Sequence, residues 1–150
     1  MSKALTTSEI YRSINKDYFS KTSFIGVFPR DKLPYIYKYP CSMIINTQPS
    51  YQQGEHWLAL YFNDKRECQF FDSYGNHPSI FGLEAYIEKA SSGLQYNKSR
   101  LQAEFSSSCG YYCIFFILLK CRHFTLTDIV NLFSKSDFSM NDFKVEHIYN

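Results

Sequence analysis

The chain has 150 residues, 45% of them hydrophobic and 19% aromatic, which suits one domain (1–150) with its own core and argues against disorder. Net charge is +2 with no basic block, so the charge pattern does not call for nucleic acid. Five cysteines without regular spacing argue against a disulfide framework and fit a reducing compartment, and the longest apolar run, nine residues, is too short to cross a bilayer.

Taken in order, Thr6-Thr7-Ser8-Glu9 fits a capping box with Thr6 as N-cap, which predicts a short helix to about Asp17. Phe24 to Tyr39, broken by Pro29 and Pro34, reads as irregular surface chain. Cys41 to Thr47 is strand-like. His56 to Phe62, rich in large residues, is a strand, and Glu67 to Ser73 is its partner across the turn Asn63-Asp64-Lys65-Arg66. Ser79 is expected to cap a helix from Ile80 to about Ala90 that Gly93 ends. Leu94 to Leu101 is expected to be a strand. Thr125 starts a further helix through Phe133, and the tail from Ser134 shows no clear period.

Ser106-Ser107-Ser108-Cys109-Gly110 precedes a run, Tyr111 to Leu119, that is apolar on every face, as in a helix buried all round. Serine caps such a helix by accepting from its first free N–H groups. Cys109 therefore stands at the N-terminus of a buried helix, where the dipole and unpaired N–H groups favour a negative charge. Gly110 leaves space for a substrate carbonyl. Cys41, Cys68, Cys113 and Cys121 lack this setting and read as packing residues.

A cysteine nucleophile needs a base, an orienter for that base and donors for the oxyanion. Of the four histidines, His56 begins a strand and is the expected base, whereas His77, His123 and His147 occupy a turn, a helix end and the tail. Asp72 is the expected orienter, directly opposite His56 if the hairpin pairs residues whose numbers sum to 128, a register that implies a three- or five-residue loop. A four-residue loop would pair Asp72 with Trp57 and turn it to the wrong face. Gln102, seven residues before Cys109, is placed to donate to an oxyanion beside the Cys109 N–H. A metal site built from Cys109, Cys113, Cys121 and His123 fails on geometry, because a helix separates Cys109 from Cys121 by roughly 18 Å.

Four segments, Gly54-Glu55-His56-Trp57, Phe70-Phe71-Asp72-Ser73-Tyr74-Gly75, Leu101-Gln102 and Ser107-Ser108-Cys109-Gly110-Tyr111-Tyr112-Cys113, occur in one order. As a set they resemble the adenovirus-type cysteine endopeptidases (adenain), within the wider group that includes ubiquitin-like-protein proteases. The resemblance covers most of the chain to about Leu119. It implies an α+β fold, papain-like or adenain-like, in which a mixed sheet packs against a buried central helix carrying the nucleophile at its N-terminus. It implies His56 as general base, Asp72 as orienter, Cys109 as nucleophile and Gln102 in the oxyanion hole, with Trp57, Gly54 and Gly110 as substrate-binding residues.

The resemblance further implies a thiol endopeptidase that cuts viral precursor proteins near small residues, often glycine, during particle maturation. Such an enzyme works in the host nucleus or cytoplasm or inside the virion, as a monomer acting on polypeptides and without a membrane partner. Adenoviral members often carry Glu at the Asp72 position and have a longer C-terminal region; here 41 residues follow Cys109. They also take an activating peptide, disulfide-linked to a cysteine, and DNA. The matching stretch here, Gly93-Leu94-Gln95-Tyr96, has no cysteine, so the residues require no cofactor. Two alternatives stay open: an isopeptidase that removes ubiquitin-like modifiers, and a non-catalytic DNA- or capsid-binding module on the same fold.

Overall fold

The computed structural model describes residues 4–48 and 56–149. Its centre is a five-stranded mixed sheet in the order β1-β2-β3-β4-β5, the strands being Phe24–Pro29, Cys41–Asn46, Trp57–Phe62, Glu67–Phe71 and Gly93–Tyr96. The two outer pairs are parallel and the two inner pairs antiparallel. All six residues of β3 are buried, because helices cover both faces of the sheet. Ile44, Ala59, Tyr61 and Phe71 face a core shared with α1 (Thr7–Asn15), α3 (Cys109–Lys120) and α5 (Phe138–Tyr149). Met43, Ile45, Leu58, Leu60 and Phe70 face a second core, closed by α2 (Glu84–Ala90). The α+β architecture with a buried central helix is thus present.

The sheet and α3 meet through ring packing. Phe71 of β4 stacks on Phe116 of α3 with centroids 4.9 Å apart, and Phe116 is fully buried. Burying one such ring contributes roughly 1.5–3 kcal/mol. Every residue of α3 from Cys109 to Ile117 is buried, so the helix that starts at the nucleophile is also the spine of the larger core.

Several elements differ from the expectation. Phe24–Pro29 is a strand, not irregular chain; Gly26 at φ +136° and Pro29 disguise it, and an edge strand tolerates both. The expected helix from Ile80 to Ala90 is split, since Gly82 turns left-handed (φ +71°) between a 3-10 helix, Pro78–Phe81, and α2. His77 caps the 3-10 helix by accepting from the Ser79 N–H. The strand expected from Leu94 to Leu101 ends at Tyr96. The helix expected to reach Phe133 stops at Val130, as α4 (Leu126–Val130) capped by Thr125. The Thr6 capping box is formed.

Candidate active site

His56 immediately precedes β3, Asp72 immediately follows β4, and Cys109 opens α3. β3 and β4 are antiparallel, so the start of one lies beside the end of the other, and the first two residues meet there. The register is Ala59 opposite Phe71, and stepping outward sets His56 opposite Tyr74 rather than Asp72. The expected direct opposition is therefore corrected to a diagonal. The hairpin closes through Asn63 and Glu67 around the three-residue loop Asp64 to Arg66, with Arg66 left-handed at φ +65°. The parity that keeps the imidazole and the carboxylate on one face is kept.

His56 Nε2 lies 2.7 Å from Asp72 Oδ1, and Cys109 lies near enough to the same imidazole to act on its charge. With Nε2 on Asp72, Nδ1 is the nitrogen left for the Cys109 sulfur. The ring stands 5.2 Å from the Tyr74 ring and 6.2 Å from that of Phe81. The His56 carbonyl accepts from the Thr47 N–H at 3.0 Å, which ties the residue to the end of β2. Burial pulls the imidazole's pKa down, but the hydrogen bonds and charges of Asp72 and Cys109 outweigh it and raise the value to about 9.

Asp72 is fully buried and fully engaged. Its Oδ1 also accepts from the Tyr74 N–H at 3.0 Å, and Oδ2 accepts from the Asn76 N–H at 3.2 Å and from Asn76 Nδ2 at 2.9 Å. Burial would push this carboxyl up, but His56 and these donors hold it below the usual carboxylate value. The Asp72 backbone is held as well: its N–H donates to Asn97 Oδ1 at 3.1 Å and its carbonyl accepts from Asn97 Nδ2 at 2.6 Å. Gly75 closes the turn at φ +77°, and a Cβ there would come within 2.8 Å of the Ser99 carbonyl carbon. Only glycine fits.

Cys109 is 6% exposed. Ser108 caps α3 without a side-chain bond to the helix; its hydroxyl instead donates to Glu146 Oε1 at 2.6 Å, a correction to the expected serine cap. The side of Gly110 on which a Cβ would stand is filled: a Cβ there would meet Leu5 and Trp57 side-chain atoms at 3.3 Å. Trp57, 9% exposed, is thus a packing partner of the nucleophile's helix. Gly54 lies outside the described residues, as does Glu55. Gln102 is fully buried; its Oε1 accepts from the Ser73 hydroxyl, and its Nε2 donates to Ser106 O at 2.9 Å and Ser106 Oγ at 2.8 Å. The expected oxyanion donor is therefore engaged inside its own loop.

The other histidines stay apart from this group: His77 caps its 3-10 helix, His123 follows α3 at φ +68°, and His147 bonds the Phe143 carbonyl. Burial raises the Cys113 thiol well above its ordinary value and lifts Cys41 to about 11. Among the described residues no group of three or more His, Cys, Asp or Glu side chains is placed to hold a metal ion. Sequence reasoning missed Asn97, Asn76, Ser73 and Ser106, whose only signal is a polar residue in a turn.

No protein-family model and no curated protein matches the sequence. Among solved structures, the ASFV pS273R protease superposes with a TM-score of 0.60 at 20% identity, covering 95% of this chain and 66% of that one. A selenomethionine form of that protease gives a TM-score of 0.58 at 19% identity, with 95% and 66% covered. The SUMO protease Ulp1, with its catalytic cysteine oxidised to a sulfinic acid, gives 0.47 at 16% identity, with 98% and 77% covered. The chain spans about two thirds of the length of the ASFV protease chain it matches. At 20% identity the likeness establishes a shared fold.

Proposed function

We propose that this chain is a cysteine endopeptidase whose nucleophile is Cys109. One observation carries the reading: an imidazole 2.7 Å from a buried, fully hydrogen-bonded carboxylate, close to a thiol that opens a buried helix. A fold shared with a viral protease supports it.

The chemistry follows from the groups present. His56 takes the proton of the Cys109 thiol, and Asp72 stabilises the imidazolium so formed. The thiolate attacks the peptide carbonyl carbon, a C–S bond forms, and the carbonyl electrons move to oxygen. The Cys109 N–H and the Gln102 amide, which gives up its contact with Ser106, donate to that oxyanion. Collapse of the tetrahedral adduct breaks the C–N bond, and His56 delivers its proton to the departing amine. Water, deprotonated by His56, then attacks the thioester, releasing the acid and restoring the thiol.

The motif set supports polypeptide substrates of the kind processed in virus or virus-like particle maturation, cut at small or glycine-containing sites. On this reading the enzyme acts as a monomer in the host nucleus or cytoplasm or within the particle, and DNA contact is weak and dispensable. Digestion of a peptide library, with cut sites read by mass spectrometry, tests it. Wild-type protein cleaves beside small residues, and Cys109→Ala folds normally but cleaves nothing. Proteolysis retained by the purified mutant sinks the proposal. Reaction with a ubiquitin-like aldehyde but with no glycine-rich peptide assigns the isopeptidase reading instead.

A further inference from the structure

We infer that helix α5 is a brace for the loop carrying Gln102, with Asn141, Asp142 and Glu146 as positioning residues for oxyanion stabilisation. The inference rests on the protease reading above. The loop from Leu101 to Ser108 joins the presumed donor to the nucleophile, and it is fastened from two directions. On the sheet side, the Ser73 carbonyl at the end of β4 accepts from the Leu101 N–H at 2.8 Å and the Gln102 N–H at 3.1 Å. On the helix side, Asn141 Nδ2 donates to the Leu101 carbonyl at 3.0 Å. Asp142 Oδ1 accepts from the Ala103 N–H at 3.3 Å, and Glu146 Oε1 accepts from the Ser108 hydroxyl at 2.6 Å.

The flanking residues of Gln102, and the residue just before Cys109, are thus each bound by α5. Positions 141, 142, 145 and 146 share one face of a helix, and the apolar member, Val145, is 1% exposed. Asn141 is fully buried and Asp142 is 8% exposed, so two polar side chains are spent inside the core on backbone groups of this loop. Stability alone gives no reason for a buried carboxylate here, since an apolar residue avoids its desolvation cost. The Tyr112 hydroxyl, 2.7 Å from Asp142 Oδ1 and 3.1 Å from the Leu101 carbonyl, ties the brace to α3 one turn past the nucleophile.

Between its fastened ends the loop also accepts from the Tyr74 hydroxyl at the Ala103 carbonyl, 3.3 Å, and from Arg100 Nε at the Gln102 carbonyl, 2.8 Å. Phe105 is 96% exposed and left-handed at φ +60°, and Ser106 bonds Gln102 rather than another element. The position of the Gln102 amide relative to the Cys109 N–H is thus set by its bond to the Ser73 hydroxyl together with the two fastened ends. A misplacement of about 1 Å at a reacting centre can cost ~10² in rate.

The test compares Asp142→Ala with Asp142→Asn, which keeps the accepting oxygen, in three measurements on the full chain. These are kcat and KM on a cleaved peptide, the rate of Cys109 alkylation by iodoacetamide, and hydrogen exchange across 101–108. Alkylation is displacement at sulfur and needs no oxyanion donor. We expect Asp142→Ala to lower kcat roughly 10- to 100-fold with KM changed by less than about 3-fold. Alkylation stays within about 2-fold, exchange quickens in the loop but not in α3, and Asp142→Asn restores kcat. A parallel fall in kcat and alkylation, or exchange rising through α3, overturns the inference, as does Asp142→Ala with unchanged kcat. If Asp142→Ala does not fold, Glu146→Ala paired with Glu146→Gln carries the same three measurements. Wild-type protein that cleaves no peptide refutes the protease reading, and the exchange result then decides alone whether α5 holds the loop.

Discussion

The two halves of the candidate site are held in different ways. The base half, His56 with Asp72, is secured at the end of one hairpin, and most of the groups around it come from Tyr74 to Asn97. The nucleophile half, Gln102 with Cys109, is secured by Ser73 beyond β4 and by residues more than thirty positions downstream in α5. The base half therefore depends on local turn chemistry and the nucleophile half on tertiary packing. The first orients a proton and the second places an oxygen, so damage to each should look different.

Removing the base is the most severe way to break the comparison. His56→Ala should lower kcat/KM by roughly 10²–10⁴ and slow Cys109 alkylation at pH 6, read by timed mass spectrometry. Unlike the α5 changes, it strikes the thiol directly. Asn97→Ala comes next, because it leaves the buried N–H and carbonyl of Asp72 without their side-chain partner. It should cost about 1–3 kcal/mol in urea unfolding and lower kcat roughly 10-fold, with KM little changed.

Acidity sharpens the contrast within the base half. The His56 pKa is raised from 6.5 to about 9, so its contribution to stability is complete below pH 6.5 and is lost as pH climbs through 9. Asp72 is lowered from 3.8, so its contribution is present above that value and is lost as pH falls through the depressed one. Thermal stability should fall as pH rises from 6.5 to about 9 in the wild type, with cleavage fading as pH passes about 9, and calorimetry on His56→Ala should lack that fall. The smallest effect belongs far from either half. Arg122 pairs with Asp17 at 2.6 Å and 3.1 Å beyond the other end of α3, partly exposed to water. Arg122→Ala should change stability by less than about 1 kcal/mol and leave cleavage untouched.

What the sequence disclosed follows the same division. The hairpin, the capped first helix and the all-apolar α3 were legible because each rests on a local pattern: alternation, a capping box, or an unbroken apolar run. His56, Asp72 and Cys109 were legible because their positions at element ends could be read from those patterns. The register was not, since a shift of two residues leaves the alternation unchanged. β1 was hidden by a glycine and a proline that only its place at the sheet edge excuses. α5 was hidden because its face toward the loop is polar: Asn141, Asp142 and Glu146 break the apolar period that would mark a packed helix. The packing of Leu5 and Trp57 against Gly110 was hidden because both are remote from it in sequence.

The five free thiols have one practical consequence. Burial raises the pKa of Cys41, Cys68 and Cys113, so electrophiles near neutral pH find those sulfurs unreactive. Only Cys109 and the half-covered Cys121, which sits 3.4 Å from the Ser23 hydroxyl at the opposite end of α3, remain as targets. Replacing Cys121 with serine would leave a protein with a single addressable handle, so a fluorophore or crosslinker could mark the candidate nucleophile in an unfractionated mixture.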